Sequence, residues 1–136
     1  MSDATTVLLV DDDPQYLDYV TQRLHASSVN FDVVQAASGR SALNNCARQP
    51  INCVVLEIDL PDMSGFEVLG KLVPRTYRPE MPVIVLTRLP NQFLLDLALK
   101  NGAQAAFRKT VGTAYLLEES ILNAISKVQA LNRLLT

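Results

Sequence analysis

The sequence predicts an α/β fold, a doubly wound parallel sheet of five βα units with helices on both faces. Three observations carry this. Short apolar runs of strand length recur five times, and the stretches between them are long enough for helices. The central run, Asn52-Cys53-Val54-Val55-Leu56-Glu57, is apolar on consecutive positions rather than alternating, as in a strand covered on both faces. The alternation is strict, so right-handed crossovers build the sheet, and function is expected outside the carboxyl ends of the strands.

The first strand, Val7-Leu8-Leu9-Val10, stops at Asp11-Asp12-Asp13-Pro14. Asp13 is an N-cap carboxylate and Pro14 a first-turn residue whose missing N–H costs nothing. Tyr16, Leu17, Val20 and Leu24 then recur at helical spacing. Phe31–Ala36 reads as the second strand, and Ser38-Gly39 opens a helix carrying Ala42, Leu43 and Cys46. After the third strand, Ser64-Gly65-Phe66-Glu67 matches a capping box, so a helix runs on through Val68, Leu69 and Leu72. Pro82–Leu86 is the fourth strand and a helix follows over Asn91–Lys100, with Gly102 as its left-handed terminator. Ala105–Arg108 is the fifth strand, and Thr113 is expected to cap a last helix reaching Leu135.

The 136 residues, 49% hydrophobic and 19% charged, suffice for one buried core without a disulfide or metal staple. A single domain over 1–136 is expected, with its core at about 6–128. A net charge of −2 argues against nucleic acid. No apolar run approaches the ~20 residues that span a bilayer, and the polar start is not read as a secretory signal. Cys46 and Cys53 lack CxxC spacing and read as small buried hydrophobes in a reducing cytoplasm.

The strand ends bring Asp11, Asp12, Glu57, Thr87 and Lys109 to one edge. Three carboxylates, a hydroxyl and an ammonium in one crevice suit a hard divalent ion, Mg²⁺ above all. The chain resembles a response-regulator receiver domain over essentially its whole length, through 7–14, 60–69, 83–87, Gly102-Ala103 and Lys109. The resemblance implies a flavodoxin-like sheet with strand order 2-1-3-4-5. It also implies phosphoryl transfer from a histidine kinase to an aspartate ending the third strand. Asp11 and Asp12 would hold Mg²⁺, Thr87 would bond a phosphoryl oxygen, and Lys109 would pair with the acceptor.

The pattern breaks at the acceptor. Four residues before Pro61 stands Glu57, longer than aspartate by one methylene, about 1.5 Å. A displacement of that size is expected to slow in-line transfer by about a hundredfold or more. The residue after the threonine, usually small in the family, is Arg88. Thr110 replaces the usual cis proline after the lysine, so the Lys109–Thr110 peptide is expected to be trans, since the cis form costs about 3 kcal/mol. Ala106 holds the place of the family's switch aromatic, and Phe107, one position on, should face the other side of the sheet. Together these predict a pseudo-receiver that works by protein–protein interaction without phosphorylation and is not an enzyme. Glu57 would stand in for a phosphoaspartate, or pair with Lys109 or Arg88. The alternative is a Mg²⁺-dependent receiver that still switches, with Glu57 or Asp59 as acceptor; Asp62 is assigned to the turn into the third helix.

A partner surface is expected on the fourth and fifth helices. The fourth carries more large apolar residues than one core stripe needs, leaving Phe93 and Leu97 or Leu99 for an interface. In the last helix Leu117, Ile121, Ala124, Val128, Leu131 and Leu135 follow 4-3-4-3-4 spacing. At 1.5 Å per residue that helix is about 34 Å long, so Leu131, Leu134 and Leu135 overshoot the core and suit a homodimer or a docked partner. An aspartate-nucleophile phosphatase would need a cap insertion for which the chain has no room. A flavodoxin would need a hydroxyl-rich phosphate loop where Asp11-Asp12-Asp13 repels phosphate.

Overall fold

The structure, a computed structural model, describes residues 3–135. Five βα units follow one another: β1 (Thr5–Val10), α1 (Pro14–His25), β2 (Phe31–Ala36), α2 (Gly39–Arg48), β3 (Cys53–Leu56), α3 (Gly65–Leu72), β4 (Val83–Thr87), α4 (Gln92–Lys100), β5 (Ala105–Arg108) and α5 (Thr113–Leu135). The strands are parallel in the order β2-β1-β3-β4-β5, so β3 lies at the centre. Val10, Leu56, Val85 and Ala106 pair in sequence across four neighbouring strands and set the register of the edge that carries the site.

Strand alternation divides the core into two layers. Leu8, Val10, Val54, Leu56, Val83 and Val85 pack against Ala42 of α2, Val68 and Leu69 of α3, and Ala98 of α4. Val7, Leu9, Cys53, Val55, Ile84 and Leu86 face the other way, against Leu17, Val20 and Leu24 of α1 and Leu117, Ile121 and Ala124 of α5. Each large aliphatic side chain buried this way contributes about 1.5–3 kcal/mol. Phe107 packs in the second layer and Ala106 in the first, as the alternation required.

Most helix starts follow the sequence. The Asp13 carboxylate accepts from the Gln15 and Tyr16 N–H groups, and Asn91 caps α4 rather than belonging to it. Ser64 caps α3 through the Phe66 N–H, one residue earlier than a capping box requires. Gly102 adopts φ +104°, and a Cβ there would meet Val73 Cγ1 at 2.6 Å, so backbone and packing both demand glycine.

Three expectations are corrected. Thr113 is not a cap but the first residue of α5; it is buried, and its hydroxyl donates to the Arg108 carbonyl and accepts from the Thr110 N–H. β3 is shorter at both ends than predicted: Asn52 exchanges hydrogen bonds with the Thr6 backbone, and Glu57 turns its carboxylate into the site. Cys46 is half-buried rather than buried, whereas Cys53 is buried as expected and its thiol is pushed up to about 12 by desolvation.

Candidate functional site at the carboxyl ends of the strands

Backbone hydrogen bonds of the sheet fix where the functional side chains start. The Asp11 N–H donates to Ala36 and the Glu57 N–H to Val10, so both residues continue the ladder one step past their strands. Thr87 ends β4, and the Lys109 N–H donates to its carbonyl. Asp11, Glu57, Thr87 and Lys109 are therefore delivered side by side from four adjacent strands.

Glu57 is the centre of the arrangement and is 1% exposed. One oxygen, Oε1, accepts from Lys109 Nζ at 3.0 Å and from the Arg88 N–H at 3.1 Å. The other, Oε2, accepts from the Ile58 N–H at 2.7 Å, the Asp59 N–H at 3.1 Å and the Thr87 hydroxyl. Thr87 in turn accepts from the Leu89 N–H at 3.2 Å. Burial alone would push the Glu57 carboxyl up, but the bonds from Thr87, Asp59, Lys109 and Arg88 outweigh it and hold the group below its ordinary value. The buried side chain is thus an ionised carboxylate with five donors on two oxygens.

Lys109 binds a second carboxylate as well, donating to Asp11 Oδ2, and its ammonium lies 4.4 Å from the centre of the Tyr16 ring. Asp11 Oδ1 accepts the Asp13 N–H at 3.0 Å. The Lys109–Thr110 peptide is trans, as are all peptide bonds of the described residues. The lysine nevertheless points into the site, because two carboxylates and an aromatic face hold its ammonium there. Tyr16 was legible only as a helix-stripe residue. Its place in the first turn after Asp11 is the signal that puts its ring beside the strand ends. Burial and then the Asp11 carboxylate push its phenol up to about 12.

Arg88 divides its contacts. Its backbone serves Glu57, but its guanidinium reaches Asp12 Oδ1 at 3.5 Å and Asp59 Oδ2 at 2.9 Å. Of the two cations expected as alternatives beside Glu57, Lys109 makes the side-chain pair, while the Arg88 guanidinium goes to two outer carboxylates and Asp59 is held by an arginine. Asp62 lies in the turn into α3, as expected, and has a second task there. Its carboxylate accepts from the Arg40 N–H at 2.9 Å and the Gly39 N–H at 2.8 Å, capping α2 from another element, and these two bonds hold it below its ordinary range. No local pattern announces a cap contributed from 22 residues away. Gly65 closes the same region: a Cβ on it would lie 2.4 Å from the Glu57 carbonyl oxygen, so only glycine admits this approach of α3 to the β3 end.

Among the described residues no three carboxylate, thiol or imidazole side chains converge as a ligand set for a cation. The expected acidic pocket of Asp11, Asp12 and Glu57 is not assembled around a metal position. Lys109 and Arg88 hold the oxygens that Mg²⁺ would need, so the residues as they stand do not fit the ion that receiver domains generally bind.

The interface candidates divide. Phe93 is 67% exposed and Leu135 is exposed, whereas Leu97 and Leu131 are half-buried. Leu99, Leu116, Tyr115 and Leu134 are further exposed apolar residues on α4 and α5. Tyr115 is covered by the Arg23 guanidinium, 3.8 Å from its ring centre.

Comparison with known proteins gives this edge its context. The chain is 37% identical over 108 residues to the transcriptional regulatory protein KdpE of Mycobacterium tuberculosis, covering 79% of this chain and 46% of that protein. It is 35% identical over 98 residues to a probable cyclic di-GMP phosphodiesterase of Vibrio cholerae, covering 72% of this chain and 22% of that protein. The chain thus spans less than half the length of these curated relatives. The crystal structure of a CheY-like response regulator receiver domain protein from Methanospirillum hungatei superposes with a TM-score of 0.77 at 29% identity, covering 94% of this chain and 98% of that one. Residues 7–121 match the response regulator receiver domain family. With five strands in the order 2-1-3-4-5 and the acid, hydroxyl and lysine positions at one edge, the chain belongs to the response-regulator receiver family.

Proposed function

We propose that this receiver is a protein-interaction module that does not use phosphorylation, because Glu57 fills the acceptor position with a side chain already satisfied. The observation that carries the reading is the Glu57 carboxylate with donors on both oxygens: Lys109, Thr87 and three backbone N–H groups. Phosphoryl transfer depends on placing a nucleophilic oxygen in line and on neutralising charge as it develops. An oxygen that accepts two or three hydrogen bonds is stabilised in the ground state. Its attack would first have to break contacts that the resting protein has already made.

The same contacts support Glu57 as an internal substitute for a phosphorylated acceptor. Its carboxylate binds the two side chains, Thr87 and Lys109, that the family uses around the phosphoryl group. The β4–α4 connection is then held in one arrangement, and the surface next to it is presented constantly. Asp59 is not favoured as a substitute acceptor, since its carboxylate pairs with Arg88.

The module's partner is a protein, met through the α4–α5 face by Phe93, Leu97, Leu131 and Leu135. A second copy of the chain is the first partner to test, and a monomer at high concentration in analytical ultracentrifugation removes the dimer part of this reading. The central reading is tested by incubating the chain with acetyl phosphate and Mg²⁺ and recording intact masses. Unmodified protein is expected, and stoichiometric acyl phosphate on Glu57 or Asp59 overturns it.

A further inference from the structure

Four carboxylates stand at the strand ends, and they sort into an inner and an outer pair. The inner pair, Asp11 and Glu57, is buried and shares the Lys109 ammonium. The outer pair, Asp12 and Asp59, shares the Arg88 guanidinium, through Nη1 at 3.5 Å and Nη2 at 2.9 Å. Asp12 follows β1 and Asp59 follows β3, so this one side chain ties together loops from two strands. The Arg88 N–H is itself fixed on Glu57 Oε1, which pins the base from which the side chain reaches.

We propose that Arg88 is a built-in cation that takes the place of a divalent metal ion and makes this receiver metal-independent. A hard divalent ion needs several oxygens that no other cation already holds. Asp11 has one oxygen on the Asp13 N–H and the other on Lys109, and both oxygens of Glu57 are occupied. Asp12 and Asp59 are the carboxylates left, and the guanidinium stands between them. A planar fork with several N–H donors can join two carboxylates that diverge from separate loops, which a lysine ammonium does less well. Each of these half-exposed pairs is weak alone. The tether is what makes the pairing persistent, since the cation is covalently supplied at the site and no free ion has to be recruited. Removing it leaves Asp12 and Asp59 without the cation they share, the condition under which an acidic edge recruits a metal.

This inference extends the locked-site reading to the metal, but the two fail separately. Acyl phosphate on the wild type sinks the locked site, whereas metal on the wild type sinks the arginine substitution. The experiment is a Mn²⁺ titration of the intact chain followed by electron paramagnetic resonance of the free ion, with Mg²⁺ as competitor and circular dichroism to verify folding. Wild type is expected to leave Mn²⁺ free throughout the titration. Arg88→Ala is expected to bind one ion at least about tenfold more tightly than wild type, to release it to Mg²⁺, and to lose it again in Arg88→Ala/Asp12→Asn. Arg88→Gln, which keeps a polar side chain of similar reach without the charge, is expected to gain the same site, and it decides the question if the alanine variant does not fold. Stoichiometric Mn²⁺ binding by the wild type overturns the proposal, and so does a folded Arg88→Ala or Arg88→Gln that binds no better than wild type.

Discussion

Lys109 at the end of β5 and Glu57 at the end of β3 meet at 3.0 Å, although a whole strand, β4, lies between theirs. Thr87 from that intervening strand bonds the same carboxylate, so three neighbouring strands are tied at one point. With Asp11 on the other side of the ammonium, β1 joins as well. The arrangement is a cross-brace over the functional edge, and its energetics follow from how little of it water reaches.

Removing the ammonium is expected to be costly. Lys109→Met leaves Glu57 and Asp11 as buried carboxylates without a cation, and urea denaturation should show a loss of about 3–5 kcal/mol. Glu57→Gln in the same chain removes one of the stranded charges, so the double variant should lose less than the sum of the two single ones. Strict additivity would mean that the pair is not coupled.

The low Glu57 pKa has a signed consequence for pH. A carboxyl whose folded value is depressed adds stability that is complete above its unfolded value, about 4.3, and is lost as pH falls through the folded one. The urea midpoint of the wild type should therefore drop more steeply below about pH 4.3 than that of Glu57→Gln. Parallel acid limbs would show that the contacts do not favour the ionised form.

Asp62 lies far from this carboxylate in role. Asp62→Ala removes the acceptor of the Gly39 and Arg40 N–H groups, so hydrogen exchange at those two amides should accelerate. Amides in β3 should keep their protection. A uniform acceleration would instead mean that Asp62 stabilises the whole fold.

Gly65→Ala places a methyl 2.4 Å from the Glu57 carbonyl oxygen and 2.6 Å from Ile58 Cα, both backbone atoms that cannot swing aside. A loss of about 2 kcal/mol or more is expected by thermal or urea unfolding. Gly70→Ala, where a Cβ would meet nothing within 4 Å and lies inside α3, should be neutral or stabilising.

Much of this was legible in the chain because its signals are local. Asp13-Pro14, Ser38 and Gly102 each act on their own helix, and consecutive apolar positions give away a strand with two covered faces. The residues of the site were legible too, since strand ends carry them to the same edge. The pairing of Glu57 with Lys109 was legible as well, and what escaped was how the remaining contacts divide. Arg88 has two groups to offer, and only the folded geometry sends the N–H to Glu57 and the guanidinium to Asp12 and Asp59. The Asp62 cap on α2 and the Thr113 hydroxyl on Arg108 are likewise contacts to other segments, invisible to periodicity. Thr110 announced the trans peptide after Lys109, and with it the loss of the proline that usually follows the lysine and helps to aim it. The tertiary cage of Asp11, Glu57 and Tyr16 orients the side chain instead.

The claim that the Glu57 carboxylate is permanently engaged is most directly tested by its own ¹³C resonance in the selectively labelled chain. The resonance should titrate below the ordinary glutamate value and stay unmoved when Mg²⁺ and a small phosphoryl donor are added together. A resonance that titrates at or above that value, or that shifts to a new position in the presence of the donor, would contradict it.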